Sequence, residues 1–219
     1  MNILCIETSA SLCSVAVIKN DNIFFLDSSR SMAHSEILME LVIGCMKHAN
    51  CKMDELNAIA LSGGPGSYTG LRIGCSSAKG LCYGLNIPLI AIDTLQIIAY
   101  AARENNPNFK QYWAMVDARR MEVYHALFNH NLEQITPAIS AILNATDFNP
   151  DNLSDSVMLC GDGAEKATEV LNMPDAKVIA NAKSMCELAK QAYINSDFKD
   201  VAYFEPFYLK QANITVSKS

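Results

Sequence analysis

A glycine-rich segment with the letters SGGPGSYTG at positions 62–70 contains the residues best suited to bind an anion. An apolar run precedes it and a helix-like pattern follows, so we expect a strand, a tight turn and a helix N-terminus. Unpaired backbone N–H groups and the helix dipole would point at a bound phosphate there. The candidate contacts are Gly64, Gly66, Ser67 and Thr69. Equally, the glycines could serve only to turn the chain and let the helix pack closely.

The same segment does not fit the two common phosphate-binding motifs. No Gly-Lys-Ser/Thr closes it as in a Walker A loop. Gly64, Gly66 and Gly70 are also one residue too widely spaced for the dinucleotide fingerprint.

Two acidic residues, Glu7 and Asp117, each follow a short apolar run. If the two runs are strands that end at one cleft, their carboxylates could face each other and hold a hydrated magnesium ion. Turn capping is the alternative role for both.

No other cluster indicates catalysis. The four histidines form no H-x-x-x-H or H-E-x-x-H pair, the eight cysteines form no C-x-x-C pair, and no G-x-S-x-G elbow is present. We therefore predict no catalytic nucleophile and no bound metal, and expect the cysteines to be reduced and buried.

Composition excludes several classes of protein. Of 219 residues, 50% are hydrophobic and 18% are charged, which indicates a folded chain rather than a disordered one. A net charge of −6 argues against a protein that binds the phosphate backbone of a nucleic acid without the help of a partner. The longest apolar stretch, 85–102, is interrupted by polar residues and proline, and no signal peptide is visible. These features predict a cytoplasmic protein without a membrane segment.

The order of elements repeats along the chain. Strands are expected at 2–6, 13–18 and 23–26, then a helix at about 35–49 capped by Ser35 or Ser31, a strand at 58–61 and a helix at 70–85. A strand at 88–92 and a helix at 94–103 end this unit. After the linker-like stretch 105–108, strands at 113–117, 122–128, 157–160 and 178–180 and a helix at 182–196 follow a similar order. We expect an α/β protein of two duplicated units, 1–104 and 105–219, with a cleft between them.

Two predicted helices have unusual surfaces. Helix 35–49 is apolar on two sides, because Met39 and Ile43 lie away from its main apolar face. Helix 70–85 has small residues four apart, Gly70 with Gly74 and Gly80 with Gly84, which would let another backbone approach closely.

Several motifs together resemble the bacterial TsaB (YeaZ) family. They are ILCIETS at 3–9, GPGSYTGLRIG at 64–74, AKGL at 78–81, DARRMEVY at 117–124 and PFYLK at 206–210. The resemblance implies an actin-like (ASKHA) fold with two duplicated subdomains, each a mixed β-sheet flanked by helices. It also implies a role in making threonylcarbamoyladenosine in tRNA beside the anticodon, as partner of the catalytic protein TsaD, with the ATPase TsaE joining the complex.

The resemblance further implies that this chain is not an enzyme. TsaD has a metal-binding histidine pair at positions that match Thr94 and Ile98, neither of which ligates iron or zinc as histidine does. Many family members also have aspartate where this chain has Glu7. The expected cofactor is therefore none, apart from vestigial ATP or ADP binding. The alternatives are an ASKHA-type phosphotransferase and a metal-dependent glycoprotease-like peptidase.

Two sets of site residues follow from the resemblance and from the patterns above. In the family, the two helices form the contact with TsaD. We expect the same surface to pair with a second copy in a homodimer when the partner is absent, and tRNA to be reached only through the complex. The expected partner interface comprises Ile37, Leu38, Met39, Leu41, Val42, Ile43, Met46, Gly70, Arg72, Ile73, Gly74 and Ser77. The expected vestigial anion site comprises Glu7, Thr8, Ser9, Gly64, Gly66, Ser67, Thr69 and Asp117.

Overall fold

Nine strands and five helices build the part of the chain that the computed structural model describes, residues 1–28, 34–144 and 153–210. In chain order they are β1 (Asn2–Glu7), β2 (Ser14–Lys19), β3 (Asn22–Asp27), α1 (His34–His48), β4 (Ala58–Ser62), α2 (Tyr68–Leu85), β5 (Leu89–Ile92), α3 (Thr94–Asn105), β6 (Gln111–Asp117), β7 (Glu122–Asn129), β8 (Ile139–Ile142), β9 (Val157–Cys160), α4 (Ala164–Leu171) and α5 (Ala182–Ile194). A 3₁₀ turn at Met53–Glu55 precedes β4.

The strands form two sheets with the same layout. The first has the order β3-β2-β1-β4-β5, and the second has the order β8-β7-β6-β9. In each, a three-strand antiparallel meander comes first, and a later strand then pairs in parallel with the first strand of that meander. The predicted duplicated α/β architecture with mixed sheets is confirmed. The division at residues 104 and 105 stays a prediction.

Each half covers its sheet partly with a helix from the other half. Helix α3 follows the first sheet in the chain but packs against β6, β7 and β9 of the second. Helix α5 comes last and packs against the strands of the first sheet. One continuous core cluster therefore joins side chains of both sheets, including Ile3, Cys5, Tyr112 and Ala114. Burial of this shared apolar surface holds the two halves together.

The structure differs from the sequence expectation in three places. Residues 178–180 do not form the predicted strand. Lys177 has a φ of 52°, a left-handed conformation that breaks an extended run, and the only nearby bridge of the described chain joins Leu159 to Asp175. Strand β8 was not predicted from the sequence. Ser35 lies inside α1 rather than capping it, and Ser31 lies outside the described residues.

Across residues 1–28, 34–144 and 153–210, no helix combines the length and apolar character needed to cross a bilayer.

Candidate functional site

A cleft of about 740 Å³ opens between the two halves of the molecule. Its first wall comes from the β1–β2 turn and the glycine-rich loop between β4 and α2, and its second from the β6–β7 turn and Asp162 after β9. Phe207, Tyr208, Leu209 and Lys210 of the C-terminal segment also line it. The cleft therefore lies where the sequence predicted it.

The glycine-rich loop is packed against its own chain. The Gly63 N–H donates to the Ile92 carbonyl at 2.7 Å, and the Ser67 N–H donates to the Ser9 carbonyl at 2.8 Å. Gly64 has a φ of +102°, and a Cβ there would lie 2.3 Å from the Phe207 carbonyl oxygen. A Cβ on Gly66 would lie 2.6 Å from that of Ser9. Close packing accounts for both glycines.

Ser67 caps helix α2. Its Oγ accepts a hydrogen bond from the Gly70 N–H at 3.3 Å, which satisfies one of the unpaired N–H groups at the helix start. Thr69 is exposed at the cleft wall. Two N–H groups of the cradle predicted for a phosphate, those of Ser67 and Gly70, therefore already have partners within the chain.

Glu7 does not face the cleft. It is fully buried, and its Oε1 accepts hydrogen bonds from the Ser9 N–H at 2.5 Å, the Ser9 hydroxyl at 2.6 Å and the Ser62 hydroxyl at 3.0 Å. Burial raises the pKa of the Glu7 carboxyl, and these hydrogen bonds oppose the rise. Of the two roles that the sequence left open for Glu7, these contacts match turn capping and not a magnesium site opposite Asp117, because the bonded oxygen holds the β1–β2 turn.

Thr8 also lies beneath the site rather than in it. It is buried under α2, and a Cβ on Gly70 would lie 1.9 Å from its carbonyl oxygen. A Cβ on Gly74 would lie 2.2 Å from its Oγ1. Gly70 and Gly74 therefore pack against the β1–β2 turn of the same chain and not against the backbone of a partner.

Asp117 does lie in the cleft, but its carboxylate has partners within the chain. Its Oδ1 accepts from the Arg119 N–H at 2.6 Å and pairs with the Lys166 ammonium. The neighbouring Asp162 Oδ1 accepts from the Asp117 N–H at 2.9 Å, and burial raises the pKa of Asp162. Among the residues described, no group of three His, Cys, Asp or Glu side chains could hold a metal ion.

Three residues that line the cleft, Asp162, Glu122 and Lys210, were not predicted from the sequence, and neither was Lys166, which pairs with Asp117. Glu122 pairs with Lys210, which lowers the pKa of the Glu122 carboxyl, and it also accepts from the Ser140 hydroxyl. A signal for Asp162 existed, since its Gly-Asp-Gly context echoes the first glycine loop.

A second feature is the outer face of α1 and α2. Met39 and Ile43 of α1 are exposed, Ile43 by 60% of its surface. On α2, a Cβ on Gly80 or Gly84 would meet no atom within 4 Å, and Tyr83 is 85% exposed. We call Met39, Ile43, Gly80, Tyr83 and Gly84 the outer helical face.

The expected partner-interface residues divide into two groups. Accessible positions on α1 and α2 are Ile37, Met39, Ile43, Arg72, Ile73 and Ser77. The other six are buried within this chain: Leu38, Leu41, Val42, Met46, Gly70 and Gly74. The buried members were expected at the surface, but they fill the space between the helices and the first sheet.

Thr94 and Ile98 lie on α3. Thr94 is the first residue of this helix, and its N–H donates to the Gly64 carbonyl at 2.9 Å. Ile98, one turn later, is buried in the core shared by the two halves.

Comparison with known proteins gives consistent matches. A family model described as "TsaD: tRNA N6-adenosine threonylcarbamoyltransferase" matches residues 28–147. A curated Escherichia coli relative, named tRNA threonylcarbamoyladenosine biosynthesis protein TsaB, is 28% identical over 96% of this chain and 95% of its own. A Buchnera aphidicola protein of the same name is 32% identical, and that match spans 61% of this chain and only 60% of the relative.

A solved structure supports the fold. YeaZ from Pseudomonas aeruginosa superposes with a TM-score of 0.84 over 95% of this chain and 99% of its own, at 24% identity. This likeness shows a shared actin-like fold. Since the family model matches more than half of the 219 residues, the chain belongs to the family that this TsaD model describes, as a member of its TsaB (YeaZ) group.

Proposed function

We propose that this chain acts in the synthesis of threonylcarbamoyladenosine in tRNA, beside the anticodon, as a non-catalytic partner of TsaD. The observation that carries the proposal is the match along 96% of the chain to a relative named for that biosynthesis. The family model, named for the transferase itself, supports the same pathway.

Three features of the structure support a role without catalysis. The positions that match the metal-binding histidines of TsaD are Thr94, buried at the start of α3, and Ile98, buried in the core. Glu7 is sealed beneath the β1–β2 turn. Asp117 and Glu122 are each paired with a lysine of the same chain. In this proposal the chain holds no cofactor, and any ATP or ADP binding in the cleft is vestigial.

The outer helical face supports a role in protein–protein contact. Met39, Ile43 and Tyr83 are exposed, and covering such apolar and aromatic side chains with a partner lowers the free energy of the complex. Bare backbone at Gly80 and Gly84 leaves room for a partner helix to approach closely. A stable complex of ordinary size buries about 800 Å² on each side.

The proposed partners follow from this face. TsaD binds it as a heterodimer, the ATPase TsaE joins the complex, and tRNA is reached only through the assembly. When TsaD is absent, a second copy of the chain covers the same face in an isologous homodimer. The work takes place in the cytoplasm.

The test is a reconstituted tRNA modification assay with TsaD and TsaE, in the presence and absence of this chain. We expect modified adenosine only when the chain is present. Ile43→Asp places a charge in the contact and should weaken TsaD binding about thirtyfold, equal to about 2 kcal/mol.

The matched control is Ile194→Asp, because this isoleucine is also on a helix and is 64% exposed, away from the outer helical face. It should bind TsaD like the wild type. Undiminished binding by Ile43→Asp would rule out the proposed face. Turnover of ATP–Mg²⁺ on a small substrate by the chain alone would instead favour a phosphotransferase, and peptide cleavage with stoichiometric metal would favour a peptidase.

A further inference from the structure

The last described residues of the chain run back over the first half and across the cleft. The Lys199 N–H donates to the Leu89 carbonyl at 2.8 Å, which places the segment along the edge of β5. Lys79 of α2 then donates to the carbonyls of Ala202 at 3.0 Å and Phe204 at 3.1 Å. These bonds direct the following residues 206–210, which we call the strap, toward the glycine-rich loop.

One end of the strap is bound to the first half. The Phe207 N–H donates to the Gly63 carbonyl at 2.7 Å, and the missing side chain of Gly64 leaves space for the Phe207 carbonyl. The Tyr208 ring lies 4.9 Å from the Tyr68 ring, centroid to centroid. The Arg72 guanidinium lies 4.2 Å from the centre of the Tyr68 ring. A backbone hydrogen bond and a ring pair thus hold this end.

The other end is bound to the second half. The Lys210 ammonium pairs with the Glu122 carboxylate at the start of β7, and Glu122 also accepts from the Ser140 hydroxyl of β8. The Lys210 side chain is 51% exposed, so this ion pair alone contributes little to stability. Its significance is its position, because it attaches the strap to the opposite wall of the cleft.

Four separate sequence motifs meet in this arrangement. The glycine-rich loop receives Phe207, Lys79 directs the approach, the β6–β7 region supplies Glu122, and the PFYLK segment is the strap itself. The partner role proposed above assigns no function to Lys79, Glu122 or the PFYLK residues. Because these residues contact one another at a single place in the fold, we infer that they act together.

We propose that residues 206–210 are an intramolecular strap that couples the two walls of the cleft. Proteins built of two halves around a cleft close when a ligand touches both halves, because binding shifts the population toward the closed state. Here the chain's own C-terminal segment touches both. The shared core lies between the two sheets, whereas the strap lines the cleft and contacts Tyr68 on one wall and Glu122 on the other.

Hydrogen exchange measured by mass spectrometry on the full chain tests the coupling. The two readouts are peptides from the loop 62–70 on one wall and the turn 117–122 on the other. Tyr208→Ala removes the ring pair on the first wall, and we expect exchange of the opposite turn 117–122 to rise about threefold to tenfold, the range that loss of one aromatic pair allows. Lys210→Ala removes the ion pair with Glu122 on the second wall, and it should likewise accelerate exchange of the loop 62–70 on the first wall.

The controls separate coupling from local packing. Tyr203→Ala removes another aromatic ring of the C-terminal segment, 85% exposed and outside the strap, and should leave both peptides as in the wild type. Tyr208→Phe keeps the ring and should also match the wild type. If Tyr208→Ala and Lys210→Ala each change exchange only at the wall they directly contact, the strap does not couple the halves. Peptides from β1 and β6 report whether each variant is folded, and Lys210→Ala decides the question if Tyr208→Ala does not fold.

Discussion

At the scale of single residues, Glu7 shows how position within a fold changes the chemistry of a side chain. A carboxylate that ends a strand beside a glycine loop can reach a ligand if the carboxylate itself is open to the cleft. Here three hydrogen bonds to Oε1, from Ser9 twice and Ser62 once, direct it inward. The same group therefore stabilises a turn and is inaccessible to a hydrated cation.

Replacing Glu7 with glutamine tests this interpretation through pH. Burial raises the pKa of Glu7 above its usual 4.5, so the folded state holds this proton more tightly than the unfolded chain does. The stability that this contributes is complete below about pH 4.5 and is lost as the pH rises through the folded-state pKa. The wild type should therefore lose stability relative to Glu7→Gln as the pH rises from 4.5 to 8, measured by urea unfolding.

A metal ligand would behave differently. If Glu7 held a cation, added magnesium would raise the stability of the wild type at pH 8 but not that of Glu7→Gln, since binding to the folded state alone stabilises it. We expect magnesium to change neither protein. A magnesium-dependent gain confined to the wild type would restore Glu7 as a ligand.

At the scale of elements, helix α2 uses its glycines in two ways. Gly70 and Gly74 admit Thr8 of the β1–β2 turn, whereas Gly80 and Gly84 face open space. The sequence shows only their spacing, which predicts close approach of some backbone without identifying it.

Alanine at two of these positions should have opposite effects. At Gly80 a Cβ meets nothing within 4 Å, and alanine should stabilise the chain by about 0.5–1 kcal/mol through its helix propensity. At Gly74 a Cβ would lie 2.2 Å from the buried Thr8 Oγ1, and overpacking should cost about 1–3 kcal/mol. Thermal unfolding of the isolated chain measures both, at a dilution where the proposed homodimer through the outer helical face has dissociated. If alanine at Gly74 stabilised the chain as much as alanine at Gly80, Thr8 would have to move aside without a cost in free energy.

Most elements could be predicted from sequence because local patterns determine them. The apolar run of β1 and the helical spacing in α1 are properties of a few neighbouring residues. Strand β8 was missed because its four residues, ISAI, do not alternate apolar and polar side chains. The predicted strand at 178–180 is absent because Lys177, just before it, has a left-handed backbone conformation. The sequence did not indicate this conformation, since lysine, unlike glycine, does not favour it.

The site was less predictable than the fold, for a physical reason. Whether Glu7 faces the cleft or the core depends on Ser62, which is distant in sequence and brought near by the parallel pairing of β1 and β4. The strap depends on Lys210 meeting Glu122, 88 positions earlier. Composition and spacing carry no information on such pairs until the chain is folded.

At the scale of the whole molecule, the exchange of helices makes the two halves interdependent. Helix α5 covers the first sheet, and α3 covers the second. Side chains such as Ile98, Met185 and Ala189 belong to one core cluster with strands of both sheets. Each half has an apolar cluster of its own on one face of its sheet, but the other face is covered by a helix from the opposite half.

We therefore expect the chain to unfold as a single cooperative unit. A fragment of residues 1–104 would leave bare the face of the first sheet that α5 covers, exposing Ile3, Cys5 and Ile18, which are fully buried in the whole chain. Such a large uncovered apolar face favours aggregation over folding. Expressed alone, the fragment should give a poorly dispersed NMR spectrum, and adding residues 105–219 in trans should restore dispersion. A well-dispersed spectrum from the isolated fragment would show that the first half folds independently and that α5 contributes contact rather than a necessary part of the core.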